Sequence, residues 1–361
     1  MTKKKILHIV EAFGGGIFSF LTDLIDETKD DFEIYIAYSL RDQTPDNFQQ
    51  YFDKRVHFIK VESFGRSINP VKDLKAFFEL KKIVKEVDPD IVHLHSSKAG
   101  FAGRFAVNCK KRRVLYNPHG FSFLMQDSSA LKRKIYYLIE KVGCVNNATI
   151  VGCSYGEYLE AKKLTKNAIC INNGVNVETM DKLTANLSKH KIDTNNLKAC
   201  TTARISFQKQ PAVFNKVAES FTEMPFVWIG DGELREELTS NNIEITGWKT
   251  KEEAVKLLND SDIFMLTSAW EGLPISLLEA MYMGKICIVS NCIGNRDVIK
   301  DGVNGFVCNN ANEFVQAINK VRSFSEEDVQ RMTSAAKADV LQNYNIRKNV
   351  KQKYVAEYLK H

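Results

Sequence analysis

The chain has 361 residues, 26 % of them charged and 44 % hydrophobic, with a formal net charge of +6. That composition excludes a disordered or collagen-like chain, and no apolar run approaches the roughly 20 residues a membrane helix needs. The length exceeds one ordinary core and predicts two domains of about 150–180 residues each.

The first apolar stretch, Ile6 to Val10, predicts a β-strand and is too short for the core of a signal peptide. Gly14-Gly15-Gly16 follows, then an amphipathic stretch from Ile17 to Ile25. Phe32–Tyr38 and Val56–Val61 read as further strands. From Pro70 to Val87 the apolar residues recur with a helical period, and Asp88-Pro89-Asp90 stops that helix before a strand at Ile91–His95. Asp88-Pro89-Asp90 also matches the D-x-D string of metal-dependent transferases, but a helix end before a buried strand makes it a chance match. Arg113–Asn117, Ala148–Gly152 and Ala168–Asn172 complete an alternation of strands and helices, the pattern of βα units on a parallel sheet.

A polar stretch at Glu178–Asn196 reads as a linker between residues 1–177 and 178–344. A second α/β series follows, with strands at Ala199–Thr202, Phe226–Ile229, Ile243–Ile245, Ile263–Leu266 and Ile286–Val289. After Asn343-Tyr344-Asn345 the chain ends in a helical segment, 345–361, expected to pack back on the first domain. The fold class is therefore α/β, with two doubly wound parallel sheets expected to face each other across a cleft at the carboxyl ends of their strands.

Eight cysteines are present, none in a C-x-x-C pair. Reduced core thiols and a cytoplasmic location are expected rather than a disulfide framework. Residues 1–175 carry 27 Lys/Arg and 20 Asp/Glu, a net +7, against 23 and 24, a net −1, in the remainder. Much of the excess sits in Lys110–Arg113 and Lys132–Lys134. With Phe121, Phe123, Leu124 and Met125 between the two runs, they suit peripheral docking on an anionic membrane, where each basic residue contributes about 1 kcal/mol. No interleaved aromatic platform supports nucleic-acid binding.

The strongest chemical signal is Glu271-Gly272-Leu273-Pro274-Ile275-Ser276-Leu277-Leu278-Glu279. Pro274 suits the first turn of a helix that ends near Gly284. The free amides there, such as those of Ile275 and Ser276, form an anion site fit for a diphosphate. Glu279 lies roughly 7.5 Å further along the axis, suited to a ribose diol. Glu271 would face the sugar side of that diphosphate. Gly14, Gly15 and Gly16 allow close approach of backbone to a ligand. His93 and His95 share one side of a strand. No carboxylate or cysteine nearby completes a metal site with them, so they are expected to line the acceptor cleft or to pack under it. His119, between Pro118 and Gly120 at a strand end, is expected at the cleft.

These motifs, in this order, resemble glycosyltransferase family 4, retaining enzymes of the two-Rossmann-domain GT-B fold. Glu271 and Glu279 resemble the family's E-x7-E pair. Arg204 and Lys209, in Thr202-Ala203-Arg204-Ile205-Ser206-Phe207-Gln208-Lys209, resemble its diphosphate-binding Arg/Lys pair, although Ala203 stands where glycine is common. Ile229-Gly230-Asp231-Gly232 resembles its strand–Gly-x-Gly–helix turn, Asn173-Gly174-Val175 the tripeptide closing the first domain, and Pro118-His119-Gly120-Phe121 its His-Gly segment near the donor sugar. His93-Leu94-His95-Ser96-Ser97-Lys98-Ala99-Gly100 and Gly294-Asn295-Arg296-Asp297 are similar to segments of bacterial capsule, O-antigen and exopolysaccharide transferases.

The resemblance implies transfer of a hexose or N-acetylhexosamine from a nucleotide-diphosphate sugar, with uridine the expected base. The implied acceptor is a glycan or polyprenyl-diphosphate-linked glycan. It implies catalytic roles for His119, Glu271, Arg204 and Lys209. Gly15, Gly16, Gly230, Gly272, Leu273, Pro274, Ile275, Ser276 and Glu279 are expected at the donor. Gly14, His95, Ser96, Lys98 and Phe121 are expected at the acceptor. No metal and no cofactor beyond the sugar nucleotide are expected. Two alternatives share the architecture: a nucleotide-sugar epimerase, which the Arg204/Lys209 and Glu271/Glu279 sets disfavour, and a non-catalytic nucleotide-binding subunit of a polysaccharide assembly complex.

Overall fold

The computed structural model describes residues 3–41, 43–65 and 69–360. The chain divides into two compact units, Met1–Asn173 with Ile346–His361, and Gly174–Asn345. The outermost expected limits, Met1 and His361, lie outside the described residues.

In the first unit the elements run β1 (Lys5–Phe13), α1 (Gly15–Thr28), β2 (Glu33–Leu40), β3 (His57–Lys60), α2 (Pro70–Val87), β4 (Ile91–His95), α3 (Ser97–Ala106), β5 (Arg113–Asn117), α4 (Ala130–Gly143), β6 (Thr149–Gly152), α5 (Tyr155–Leu164) and β7 (Ala168–Cys170). The seven strands are parallel, in the order β3-β2-β1-β4-β5-β6-β7. Strand order reverses between β1 and β4, so the loops after those strands flank the crevice where such sheets bind ligands. All of β4 is buried, as a strand covered by helices on both faces requires.

Local chemistry sets the element ends. The Asn69 side chain accepts from the Lys72 amide and Pro70 opens α2. Asp88, at φ 48°, closes that helix in the left-handed region. Asp88 then pairs with Arg112 at 2.6 Å, and Asp90 accepts from the Lys5 amide at 2.8 Å. Both aspartates of the D-x-D string are thus engaged in holding a helix end and a strand start.

The second unit contains α6 (Val177–Thr184), β8 (Ala199–Thr202), α7 (Pro211–Glu219), β9 (Phe226–Ile229), β10 (Ile243–Ile245), α8 (Lys251–Asn259), β11 (Ile263–Leu266), α9 (Ile275–Tyr282), β12 (Ile286–Ser290), α10 (Asn295–Val298), β13 (Phe306–Cys308), α11 (Ala311–Arg322) and α12 (Glu326–Asn343). Its six parallel strands follow β10-β9-β8-β11-β12-β13, the same winding with its reversal between β8 and β11. The loops after β8 and β11 carry Arg204, Lys209, Glu271 and the start of α9. Strand β13 has only three residues and was not evident from the sequence pattern.

The expected linker at 178–196 is corrected. Residues 177–184 form a helix, because the Asn176 side chain caps it by accepting from the Thr179 amide. The division between units falls earlier, at Asn173/Gly174. After α12 the chain rejoins the first unit through one wide turn at Ile346–Val350 and α13 (Lys351–Leu359). Tyr354 and Tyr358 of α13 are fully buried against that unit. Arg113 with Glu357, Arg347 with Glu27 and Lys351 with Asp31 pin the segment in place.

Candidate functional site

The second unit gathers the charged residues of two loops. The Lys209 ammonium lies 2.5 Å from Glu271 Oε1. Both side chains are largely withdrawn from solvent. Three bonds tie the segment bearing Lys209 to the segment after β11: the Ala269 amide to the Gln208 carbonyl, Thr267 Oγ1 to the Lys209 carbonyl, and Gln208 Nε2 to the Trp270 carbonyl. The loop after β8 is therefore braced along its whole approach to Glu271. Arg204 reaches the other way, to Glu233 at 2.8–2.9 Å.

Helix α9 begins at Ile275, with Pro274 as its cap rather than its first residue. No side chain caps this end, so its first amides point out unassigned. The side chains of Leu273 and Ile275 are buried and Ser276 is half-buried. What this end offers a ligand is its backbone amides, as expected for Ile275 and Ser276, and the Ser276 hydroxyl. Gly284, at φ +70°, follows the end of the helix. Glu279 is 8 % exposed and pairs with Lys251, the first residue of α8. Lys251 was not singled out from the sequence, since an isolated lysine after Thr250 carries no motif.

The glycines expected at the donor separate into two kinds. A Cβ on Gly230, at φ +139°, would stand 2.1 Å from the Ala203 carbonyl oxygen, and one on Gly232 equally close to that of Ile205. A Cβ on Gly294 would meet the Gly272 carbonyl at 2.5 Å. These residues let neighbouring loops pack against the Arg204 and Glu271 segments. Gly230 thus lets its loop pack against the Arg204 segment. By contrast, a Cβ on Gly15 or Gly16 would meet nothing within 4 Å. Both are exposed at the uncapped start of α1, with Gly14 as cap. Open space in front of free amides suits a ligand's approach.

In the first unit, His8 on β1, His93 and His95 on β4, and His119 after β5 stack beside one another. His8 Nδ1 lies 3.1 Å from His95 Nε2, and His95 Nδ1 lies 3.0 Å from His119 Nε2. His93 is held by the Tyr358 hydroxyl at 2.7 Å and by Asn117 Oδ1 at 2.6 Å. Burial disfavours the imidazolium form throughout, lowering the pKa of His93 to about 4 and of His119 to about 3, and holding those of His8 and His95 well below the usual histidine value. Nitrogens of His8, His93 and His95 lie within 4.8 Å of one another, a geometry that could ligate a cation. However, His93 has both nitrogens engaged, His8 and His95 hold each other, and among the described residues no anionic ligand joins them to offset a buried double charge.

Two acceptor residues are corrected. Phe121 is fully buried and stacks on Phe123 at 4.7 Å. His95 is equally buried beneath His119. Neither presents surface to a ligand, because the strand ends place them under the loops rather than on them. Lys98 binds the Gly65 carbonyl at 2.6 Å and Asp73 at 3.0 Å. Glu11, at the end of β1, is buried and paired with Arg41; its burial raises its pKa against the opposing pull of Arg41. Ser96, at φ +74°, has a buried hydroxyl with no partner. His119 is half-buried at φ +55°, and the following Gly120 amide donates to the buried Glu157 carboxylate at 2.6 Å. His8, Glu11 and Glu157 carry no spacing signal, and only the folded sheet brings them near the loops.

All eight cysteines are free. The thiol of Cys292 is pushed up to about 12 by burial and by the Glu271 charge, so it stays protonated. The basic run Lys110–Arg113 is also corrected. Arg113, the first residue of β5, is bound to Glu357 and Thr149, and Arg112 to Asp88 and the Pro89 carbonyl. Only Lys110 and Lys111 of that run remain exposed. Among the described residues no helix is long and apolar enough to cross a membrane.

A family model described as Glycosyltransferase Family 4 matches residues 14–179, and one described as Glycosyl transferases group 1 matches residues 182–339. The chain is 30 % identical over 334 residues to the UDP-Gal:alpha-D-GlcNAc-diphosphoundecaprenol alpha-1,3-galactosyltransferase of Escherichia coli, covering 83 % of each chain. It is 26 % identical over 314 residues to the N,N'-diacetylbacillosaminyl-diphospho-undecaprenol alpha-1,3-N-acetylgalactosaminyltransferase of Campylobacter jejuni, covering 81 % of this chain and 82 % of that one. Among solved structures, sucrose-phosphate synthase from Thermosynechococcus elongatus superposes with a TM-score of 0.80 at 12 % identity, over 98 % of each chain.

Proposed function

Because the chain belongs to glycosyltransferase family 4, we propose that it transfers a hexosyl or N-acetylhexosaminyl group from a UDP-sugar to a polyprenyl-diphosphate-linked glycan, in the assembly of a bacterial surface polysaccharide. The observation that carries this reading is the cluster at the switch point of the second sheet: Lys209 against Glu271, with Arg204 on the same loop and the uncapped start of α9 beside them. The activities named for the Escherichia coli and Campylobacter jejuni relatives supply the donor and acceptor class.

The chemistry follows from charge. As the bond from the sugar C1 to the β-phosphate oxygen breaks, the departing nucleoside diphosphate gains negative charge. Arg204, Lys209 and the α9 amides stabilise it, each charge-assisted bond contributing roughly 1.5–3 kcal/mol. Glu279 accepts from the ribose hydroxyls once it exchanges Lys251 for the nucleoside. Glu271 holds Lys209 in place and faces the sugar. Retention proceeds by front-face attack: the acceptor hydroxyl oxygen bonds to C1 and its proton passes to the leaving phosphate oxygen. These cations make the reading independent of a metal.

Docking at an anionic bilayer belongs to the same reading and rests on α4. Leu131, Ile135, Leu138 and Val142 are all exposed at i, i+4, i+7 and i+11, an apolar stripe about 16 Å long at 1.5 Å per residue. Lys132, Arg133 and Lys134 lie on the same helix. Such a face suits a membrane surface and gives reach to a lipid-linked acceptor.

The deciding measurement is release of UDP from a panel of UDP-sugars, with and without a synthetic polyprenyl-diphosphate-sugar. Release that requires the acceptor, with the sugar recovered on it, is expected. Binding without turnover on any acceptor would favour the non-catalytic subunit instead.

A further inference from the structure

Three imidazoles of the first unit are joined end to end. His8 Nδ1 meets His95 Nε2 at 3.1 Å, and His95 Nδ1 meets His119 Nε2 at 3.0 Å. His8 and His95 have no exposure, whereas His119 reaches the surface at the end of β5. Its backbone is held in the left-handed region, and the next amide is anchored on Glu157. Among the described residues no protein group takes His119 Nδ1, which is not a buried atom.

A neutral imidazole has one N–H and one lone pair. Two bonds through the middle ring therefore leave only two arrangements of the row. If the protons point inward, His119 Nε2 donates to His95 and His95 Nε2 donates to His8 Nδ1. His8 must then carry its own proton on Nε2. That atom is buried and among the described residues has no partner, so an N–H would be orphaned there. If the protons point outward, His8 Nδ1 donates to His95 Nε2, and His95 Nδ1 donates to His119 Nε2. His8 Nε2 is then only an unused lone pair, and His119 carries its proton on Nδ1. Orphaned buried N–H groups are rarer than unused acceptors, so the outward arrangement prevails. The low pKa values of all three rings keep the row neutral and the argument intact.

We propose that His8 and His95 are positioning residues that hold His119 as its Nδ1–H tautomer, so that His119 offers the substrate a hydrogen-bond donor and not a general base. The tautomer stands on the row of rings alone. Its use, donating to a hydroxyl oxygen of the transferred sugar, rests on the function proposed above.

The test uses the full-length protein labelled with 15N-histidine. Two-bond 15N–1H correlation spectra report the tautomer of each ring, assigned through His8→Asn and His119→Asn. His119 protonated on Nδ1 is expected. His119 protonated on Nε2, or averaging between the two forms, overturns the proposal, as does stoichiometric Zn2+ binding that shifts the His8 and His95 signals in the protein as isolated. His8→Phe removes the donor to His95, and His119 should then average between tautomers with kcat falling at least tenfold and donor KM changing less. His8→Asn, whose amide nitrogen stands where Nδ1 stood, should restore the Nδ1–H form and most of kcat. A merely structural role for His8 predicts no such split between Asn and Phe. Should His8→Phe fail to fold, the spectrum of the unaltered protein still decides. His119→Asn, with a donor near the Nδ1 position, should retain more activity than His119→Gln. Equal loss in both, with the tautomer as expected, would overturn the sugar-binding role and leave the relay standing.

Discussion

Lys209 and Glu271 lie 62 positions apart in the sequence, yet the Lys209 ammonium sits 2.5 Å from the Glu271 carboxylate, each on the loop following one of two adjacent strands. On the proposed function, the pair couples charge for the leaving diphosphate to the packing of the loops that supply it.

That coupling separates activity from stability. Lys209→Ala removes a cation from the leaving group and leaves a buried carboxylate unpaired. Turnover should fall roughly 10²-fold, and stability by about 1–3 kcal/mol. Adding Glu271→Gln to Lys209→Ala should recover the melting temperature without recovering turnover. Denaturation curves and single-turnover kinetics on the three proteins check this.

Glu279 is paired with Lys251. Glu279→Ala should weaken UDP binding about tenfold, since bonds to a charged acceptor contribute roughly 1.5–3 kcal/mol before any compensation by water. Lys251→Ala frees the carboxylate, so UDP affinity should hold or rise. Isothermal titration calorimetry reads both, and a loss in Lys251→Ala equal to that in Glu279→Ala would show that the lysine itself holds the nucleotide.

Arg104 and Glu140 form a buried pair at 2.7 Å between α3 and α4, with Tyr116 donating to the same carboxylate at 2.7 Å and its ring under the guanidinium at 4.5 Å. Glu140→Ala leaves a buried guanidinium without its partner and should cost about 3–5 kcal/mol. Urea denaturation measures that loss, while activity per folded molecule should change little.

Four buried or half-buried histidines have folded-state pKa values below their ordinary 6.5. As pH falls below about 6.5 the unfolded chain takes up protons that the folded chain refuses, so stability decreases with acidification. Each such ring contributes a slope of up to about 1.4 kcal/mol per pH unit. For His93 the loss continues to about pH 4 and for His119 to about pH 3. Melting temperatures between pH 7.5 and pH 5 should fall, and His93→Gln should flatten the slope; an unchanged slope would show that the buried histidines do not set it.

The exposed stripe of α4 sets the last expectation. Leu131→Asp with Ile135→Asp should reduce sedimentation with vesicles of anionic lipid, and Lys132→Glu with Lys134→Glu should do the same with a stronger dependence on salt. Equal sedimentation by the unaltered protein and both variants would remove the docking surface.

The sequence by itself determined the class of fold and the residues of the charged cluster at the switch point of the second sheet. Strands covered on both faces are mostly apolar, which made Ile263–Leu266 legible; Ile91–His95, with two histidines, was legible from the helix stop at Asp88-Pro89-Asp90 before it, and a helix start needs a residue such as Asn69 with Pro70. The E-x7-E spacing and the Arg204/Lys209 pair are local patterns, the first carried by one loop and the helix it opens, the second within one loop. The tertiary structure decided what no local pattern encodes. It put His8 in line with His95 and His119, because three parallel strands set residues far apart in sequence in adjacent registers. It withdrew Phe121 and Arg113 from roles their sequence neighbours suggested, since burial and an ion pair with a returning helix are non-local. It also moved the division of the chain to Asn173, where the Asn176 cap began a helix inside the stretch whose polarity resembled a linker.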